Sequence, residues 1–215
     1  AMIAGGEETF GIPQVGINGE VWAQRACERL RRAGRRRVAF VCRSRVEDRE
    51  AFRRQAEAHG LHVPAQWMLA LSERFASGVR SVTHLLMTLP KDERPDALVI
   101  HDDHLVEPAT RGVTDARVRV PDELQIIAHV NYPEPPPTSE PVTWLGYDTD
   151  QIIARCVDLI DRQRQGLSFP GRVDVAPRFD DEIAALPGAV GDGFESGAHR
   201  EASLTAAGLA RTQWE

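Results

Sequence analysis

The chain has 215 residues, 42% of them hydrophobic, and a formal net charge of −6. That content can bury a substantial core, as one large domain or two small ones, while the acidic balance argues against the whole chain wrapping nucleic acid, whose phosphates demand a basic footprint. No apolar run approaches the roughly 20 residues of a membrane span, and Cys27, Cys42 and Cys156 are too dispersed for a CxxC zinc site and fit reduced cytoplasmic thiols.

Residues 1–8 lack the basic start and apolar stretch of a secretory signal. The segment Gly11 to Ile17 is strand-like. Val21 to Ala33 has helical spacing, with Val21, Ala26, Cys27 and Leu30 on one side. Arg29, Arg31, Arg32, Arg35, Arg36 and Arg37 crowd around Gly34, as expected where basic side chains complement a helix C-terminus and glycine ends it. Val38 to Cys42 is a buried strand that stops on Arg43-Ser44-Arg45. From about Asp48 to His59, the spacing of Ala51, Phe52, Gln55, Ala56 and His59 predicts a helix closed by Gly60. A third strand is expected over Trp67 to Leu71, followed by Ser72-Glu73-Arg74-Phe75. The helix from about Ala76 to Leu89 then carries an apolar stripe, Val79, Val82, Leu85, Leu86 and Leu89, expected in the core.

The most informative stretch is Pro95 to His104. Leu98, Val99 and Ile100 have the length and branching of a strand buried on both faces, which implies a parallel sheet covered by helices. The run then stops on His101-Asp102-Asp103-His104. In open α/β sheets the carboxyl edge of the strands is where ligands bind, so His101, Asp102 and Asp103 are the first candidates for a site. Capping of the following helix by aspartate is the plainer role, and the two can coexist.

A helix from about Leu105 to Thr114 leads to a further strand, Leu124 to Ala128, ended by His129-Val130-Asn131. Prolines break the chain over Tyr132 to Pro141, which is expected to act as a connector or hinge. Val142 to Leu145 is extended. Asp148 to Gln165 predicts an amphipathic helix capped by Asp148 or Thr149, with Ile152, Ile153, Cys156, Val157, Leu159 and Ile160 inward and Gly166 at its end. Arg172 to Pro177 alternates like an edge strand, and beyond about Asp180 a loosely packed tail is expected. Strands that finish on polar residues and alternate with helices specify an α/β fold on a parallel sheet.

Several pieces, taken together and in order, resemble the LacI/GalR family of bacterial transcription regulators. They are Gly34-Arg35-Arg36-Arg37 before the strand Val38 to Val41, Ser77-Gly78 opening a helix, Arg94-Pro95-Asp96-Ala97-Leu98-Val99 with Asp102-Asp103, Val120-Pro121-Asp122-Glu123-Leu124, and Pro141 to Leu145 before a long helix. The resemblance implies a truncated effector-binding domain similar to type I periplasmic binding proteins, in which two Rossmann-like lobes clamp a ligand. On that basis residues 1–17 end the first lobe, 18–131 form the second, and 132–141 form the hinge. Residues 142–166 then return to the first lobe, 167–181 return to the second, and 182–215 form a flexible tail.

The resemblance also implies a small polar, sugar-like effector, a homodimer, no cofactor or metal, no membrane, no catalysis, and DNA contact only through a helix-turn-helix that this sequence does not show. Residue by residue, the Gly-aromatic pair of the family corresponds to Ala51-Phe52. The sugar-binding arginine three residues before that pair is replaced by Asp48, flanked by Arg45 and Arg49. The Asn-Asp pair after the central strand becomes His101-Asp102 with Asp103 beside it, the aspartate after the next strand falls near Asn131, and Phe75 ahead of Ser77-Gly78 is counted with them. Aspartate suits polyols because a carboxylate accepts two hydroxyl hydrogen bonds in a planar fork.

Two other functions fit parts of the sequence. His101, Asp102, Asp103 and His104 have the donor types of a zinc- or manganese-dependent hydrolase, although neighbouring residues at a strand end point in different directions and are not expected to converge on one ion. A protein-interaction module without a ligand is the other.

Overall fold

The computed structural model describes residues 2–4, 12–43, 46–168 and 171–184. Its strands are β1 (Met2–Ala4), β2 (Gln14–Ile17), β3 (Val38–Cys42), β4 (Met68–Ala70), β5 (Ala97–Ile100), β6 (Gln125–Tyr132), β7 (Thr143–Asp148), β8 (Arg172–Val175) and β9 (Arg178–Phe179). The helices are α1 (Gly19–Arg32), α2 (Val46–Ala58), α3 (Ala76–Met87), α4 (Val106–Asp115), α5 (Thr149–Arg164) and α6 (Asp180–Ala184). Arg45 lies outside the described residues, as does the expected tail beyond residue 184.

Six strands form one sheet in the order β4-β3-β5-β6-β7-β9, parallel throughout except for the antiparallel edge strand β9. A smaller parallel sheet has the order β1-β2-β8. The chain therefore has the expected α/β architecture, a Rossmann-like parallel sheet flanked by helices. Its central strands are apolar on both faces because both faces are covered: every residue of β3 and β5 is buried. The period-two alternation divides the core. Val38, Phe40 and Cys42 pack with Trp22, Leu30 and Phe52 from α1 and α2, while Ala39 and Val41 join Val79, Met87, Val106 and Val113 from α3 and α4. Val15, Ile152, Leu159 and Val175 extend the first of these clusters, so the small sheet and α5 share a core with the large sheet.

Helix ends follow their local chemistry. The Asn18 side chain accepts from the backbone N–H groups of Glu20 and Val21 at 3.0 and 3.3 Å and starts α1. Asp148 caps α5 by accepting from Gln151 N–H at 3.0 Å. The arginine run is engaged structurally. Arg29 pairs with Asp181 at 2.9 Å, Arg35 donates to the Pro121 carbonyl, and Arg37 donates to the carbonyls of Arg94 and Lys91 at 2.9 and 3.0 Å.

The structure differs from the sequence expectation in three places. In α3 the buried residues are Val79, Thr83 and Met87, while Leu85 is 65% and Leu89 37% exposed. The reason is Gly112: α4 comes so close that a Cβ there would meet the Arg80 carbonyl oxygen at 2.5 Å, so the face of α3 opposite it is set by backbone approach and the small Thr83. In α5 only Ile152 and Leu159 are buried, on the side that packs against β2, β8 and β7, and Ile153, Val157 and Ile160 are exposed on the others. Strand β6 does not end at Ala128 but continues through Tyr132, since β7 supplies backbone partners as far as Tyr132 opposite Asp148. Along this extension Val130 and Tyr132 are buried while His129 and Asn131 point to the other face.

The segments expected to divide the chain lie as follows. The proline-rich stretch 132–141 joins two neighbouring strands of one sheet and is tied to α4, through Ser139 N–H to Thr110 Oγ1 at 3.2 Å and Thr114 Oγ1 to Glu140 at 2.6 Å. Within 142–166, β7 belongs to the large sheet and α5 packs toward the small one. Within 167–181, β8 pairs with β2 and β9 with β7.

Candidate functional site

The strand order reverses at β3: the chain moves from β3 outward to β4 on one side and then to β5 on the other. Connections after these strands diverge there and leave a crevice at the carboxyl ends. A cleft of about 1140 Å³ lies at this edge. One wall is the large sheet, with Arg43 after β3, His101 to His104 after β5, His129 and Asn131 on β6, and Tyr147 on β7. The facing wall combines Asn18 and Glu20 at the start of α1, Glu47, Asp48 and Arg54 of α2, and Arg172 and Asp174 of β8.

Four of the residues singled out in the sequence meet in this cleft: His101, Asp102, Asp103 and Asn131. Asn131 Nδ2 donates to Asp103 Oδ2 at 2.9 Å, which joins the tips of β5 and β6. Asp102 caps the 3₁₀ turn 103–105 by accepting from His104 N–H at 3.1 Å, and its other oxygen faces Arg43 Nε at 3.5 Å. Capping and site-lining roles therefore coincide in Asp102. His101 turns inward, with Nδ1 3.8 Å from Asp48 Oδ2 and its ring edge-on to Trp22 at 4.6 Å.

The other described candidates, Phe75 and Arg49, do not meet there. Phe75 is 70% exposed and Arg49 is half-buried, and neither lines the cleft. Within α2, Asp48 lines the cleft and Arg49 does not.

Sequence reasoning missed Asn18, Glu20, Arg54, Tyr147, Arg172 and Asp174. Glu20 receives Arg54 at 2.6 Å and Gln55 at 2.7 Å, and these donors hold its carboxyl below the usual range. Tyr147 donates to the Asn18 carbonyl at 3.0 Å; burial pushes its phenol up, so it stays a neutral donor. His129 forms part of the floor. Its Nδ1 is sealed from solvent without a hydrogen-bond partner, and burial lowers its pKa against the opposing pull of Asp103, Asn131 and Asp102. These residues come from four separate segments, and no local pattern marks them.

For a metal, the relevant group is Asp102, Asp103 and His104, whose donor atoms lie within 4.8 Å of one another. His101 is not in it, so the four consecutive residues do not converge as a set. Three do, because Asp102 is extended and Asp103 starts a 3₁₀ turn that brings His104 Nδ1 to 2.7 Å from Asp103. The two buried thiols, Cys27 and Cys42, are pushed up to about 12 by burial, which disfavours the thiolate that would bind a metal.

A polar rim at the carboxyl edge of a Rossmann-like sheet, closed from across by a second sheet and a helix start, is the arrangement of a two-walled small-molecule binding domain. Residues 27–179 match the model of the periplasmic binding protein-like domain family. The chain belongs to that family. Its likeness to LacI-family regulators, drawn from the motifs, holds as well. Catabolite control protein A of Priestia megaterium is 28% identical over 131 residues, covering 58% of this chain and 39% of that protein. A LacI-family regulatory protein from Chloroflexus aggregans superposes with a TM-score of 0.70 at 18% identity, covering 82% of this chain and 66% of that one. A LacI-family transcriptional regulator from Lactobacillus casei with bound glucose gives 0.63 at 20% identity, over 83% and 76%. The chain thus spans about two fifths of the length of the curated relative. No helix among the described residues is long and apolar enough to cross a membrane.

Proposed function

We propose that this chain is the effector-sensing part of a LacI-family transcription regulator and that its cleft holds a small, hydroxyl-rich, sugar-like molecule. The observation that carries this reading is the junction of Asp102, Asp103 and Asn131 on adjacent strands, beside Arg43 and opposite the start of α1. Carboxylate and amide oxygens accept hydroxyl hydrogen bonds, and charge-assisted bonds of this kind contribute about 1.5–3 kcal/mol each. The glucose bound to the Lactobacillus casei regulator supports the same ligand class here.

The six-stranded sheet is the second lobe, and β1, β2, β8 and α5 belong to the first. The hinge falls at three crossings between the sheets, from β2 to α1, from β7 to α5 and from β8 to β9, rather than in 132–141. The protein works in the cytoplasm as a homodimer, without catalysis, and its DNA contacts belong to a helix-turn-helix segment rather than to residues 12–184. Dimerisation aligns two reading heads with two half-sites, and ligand closure is coupled to their spacing.

A thermal-shift screen with neutral sugars and polyols tests the reading. A true ligand at 100 times its dissociation constant stabilises by about 2.7 kcal/mol. Asp102→Ala and Asp103→Ala should each remove that stabilisation while leaving the unliganded protein folded. Unchanged binding in both variants would show that the site lies elsewhere.

A further inference from the structure

Helix α5 is apolar on two sides, and the fold uses one of them. Ile152 and Leu159 are buried toward β2, β7 and β8, with Cys156 partly buried beside them. At about 100° per residue, Ile153, Val157 and Ile160 fall on a second stripe, centred about 120° around the helix from the first. These three side chains are 53%, 52% and 41% exposed. The same stripe ends on opposite charges. Asp150 stands in the first turn and Arg164 in the last, both exposed and both within about 60° of the centre of the stripe. Arg162 is held by Asp158 at 3.0 Å, whereas neither Asp150 nor Arg164 forms an ion pair with a described residue.

An acidic end, three apolar side chains and a basic end form a pattern that complements itself when reversed. Laid antiparallel about a two-fold axis near Val157, two copies of α5 set Ile153 of each against Ile160 of the other, and Asp150 against Arg164 at both ends. A parallel pairing would put aspartate beside aspartate and arginine beside arginine. Each helix is already folded on its own domain, so pairing pays no cost of helix nucleation and little cost of ordering. Charge complementarity of this kind singles out a second copy of the chain over an unrelated apolar partner, because the two ends of one helix supply both halves of each ion pair.

We propose that α5 is a self-association surface on which two copies of this chain pair antiparallel through Ile153, Val157 and Ile160. The inference names the contact of the homodimer proposed above and rests on that reading for its use: with α5 in the first lobe, the pairing joins two first lobes and leaves the second lobes to close on the ligand. One helix pair is smaller than a standard interface of about 1,600 Å², so the dimer should dissociate with a constant on the order of micromolar. The test is sedimentation velocity of the full chain over about 1 to 300 µM, without ligand. The chain should pass from monomer to dimer across that range. Val157→Lys, a better helix former at an exposed position, should weaken the dimer at least about tenfold and leave the melting of the monomer unchanged. Asp150→Arg and Arg164→Asp should each weaken it about threefold to tenfold, and the doubly exchanged variant should restore it. A chain that stays monomeric throughout would overturn the proposal. So would a dimer that Val157→Lys leaves intact, which would place the contact elsewhere, or a double exchange that fails to rescue, which would exclude the antiparallel register. A monomer destabilised in urea by Val157→Lys would show the stripe covered by residues of its own chain and overturn the proposal as well. None of these readouts involves a sugar, so effector binding by the thermal-shift screen stands or falls separately.

Discussion

Trp22 links the core to the cleft, and replacing it has a calculable effect. Its ring is fully buried, Nε1 donates to the Leu145 carbonyl of β7 at 2.8 Å, and its edge meets the His101 ring at 4.6 Å. Trp22→Phe keeps an aromatic ring but removes the donor and part of the volume. Losing the hydrogen bond costs about 1 kcal/mol net, more if the strand carbonyl is left unpaired. The void beneath His101 adds about 1–2 kcal/mol, because close-packed surroundings collapse only partly. The sum, about 2–3 kcal/mol, lowers the melting temperature by about 4–12 °C for a chain of this size. Urea titration followed by far-ultraviolet circular dichroism measures the loss directly, and a sugar ligand should bind more weakly because His101 loses its support. A loss below about 0.5 kcal/mol, typical of a surface change, would refute the assignment of Trp22 as the bridge between α1, β7 and His101.

Gly112→Ala should destabilise by about 1–2 kcal/mol despite the better helix propensity of alanine, because the new Cβ meets backbone atoms of α3; equal or higher stability in urea would contradict the close approach. Phe179→Ala should cost about 3–4 kcal/mol, since the ring is buried with the Arg29 guanidinium 4.0 Å above it, while Asp181→Ala, whose carboxylate is 58% exposed, should cost less than about 1 kcal/mol; the reverse order in denaturant melts would disprove this account of the β9–α6 segment. Burial lowers the pKa of His129, so below about pH 6.5 the unfolded chain binds a proton that the folded chain resists, and stability falls as pH drops from there. His129→Gln should therefore melt with a shallower pH dependence between about pH 7 and 5.5, and an identical slope would remove His129 from the explanation.

Much of this architecture was legible because buried parallel strands have a plain signature. Val38 to Cys42 and Leu98 to Ile100 are continuous apolar runs that stop on charge, and both became central strands whose tips form the cleft wall. Asp102 and Asp103 stood out for the same reason, as polar residues just after a strand, while Asn131 was reached through the family resemblance; all three line the cleft. Helix faces were less legible. In α3 the apolar count favoured Leu85 and Leu89, but backbone proximity at Gly112 put Thr83 inward, and a sequence window does not contain the helix on the other side. In α5 the stripe Ile153, Val157 and Ile160 has core-like spacing without a layer over it among the described residues. The far wall of the cleft was invisible for a related reason, since Glu20, Tyr147 and Asp174 become neighbours only once β2, β7 and β8 are assembled.

Asn18 has a mechanical consequence of its own. Its side chain holds the first turn of α1 while its carbonyl receives Tyr147 from β7, at the point where the chain leaves the small sheet. Prising the two sheets apart at this fulcrum strips the helix of its cap and the tyrosine of its acceptor in one movement. The domain is thus geared, and a tug felt by Tyr147 in the cleft is delivered to the root of α1 without passing through any loop.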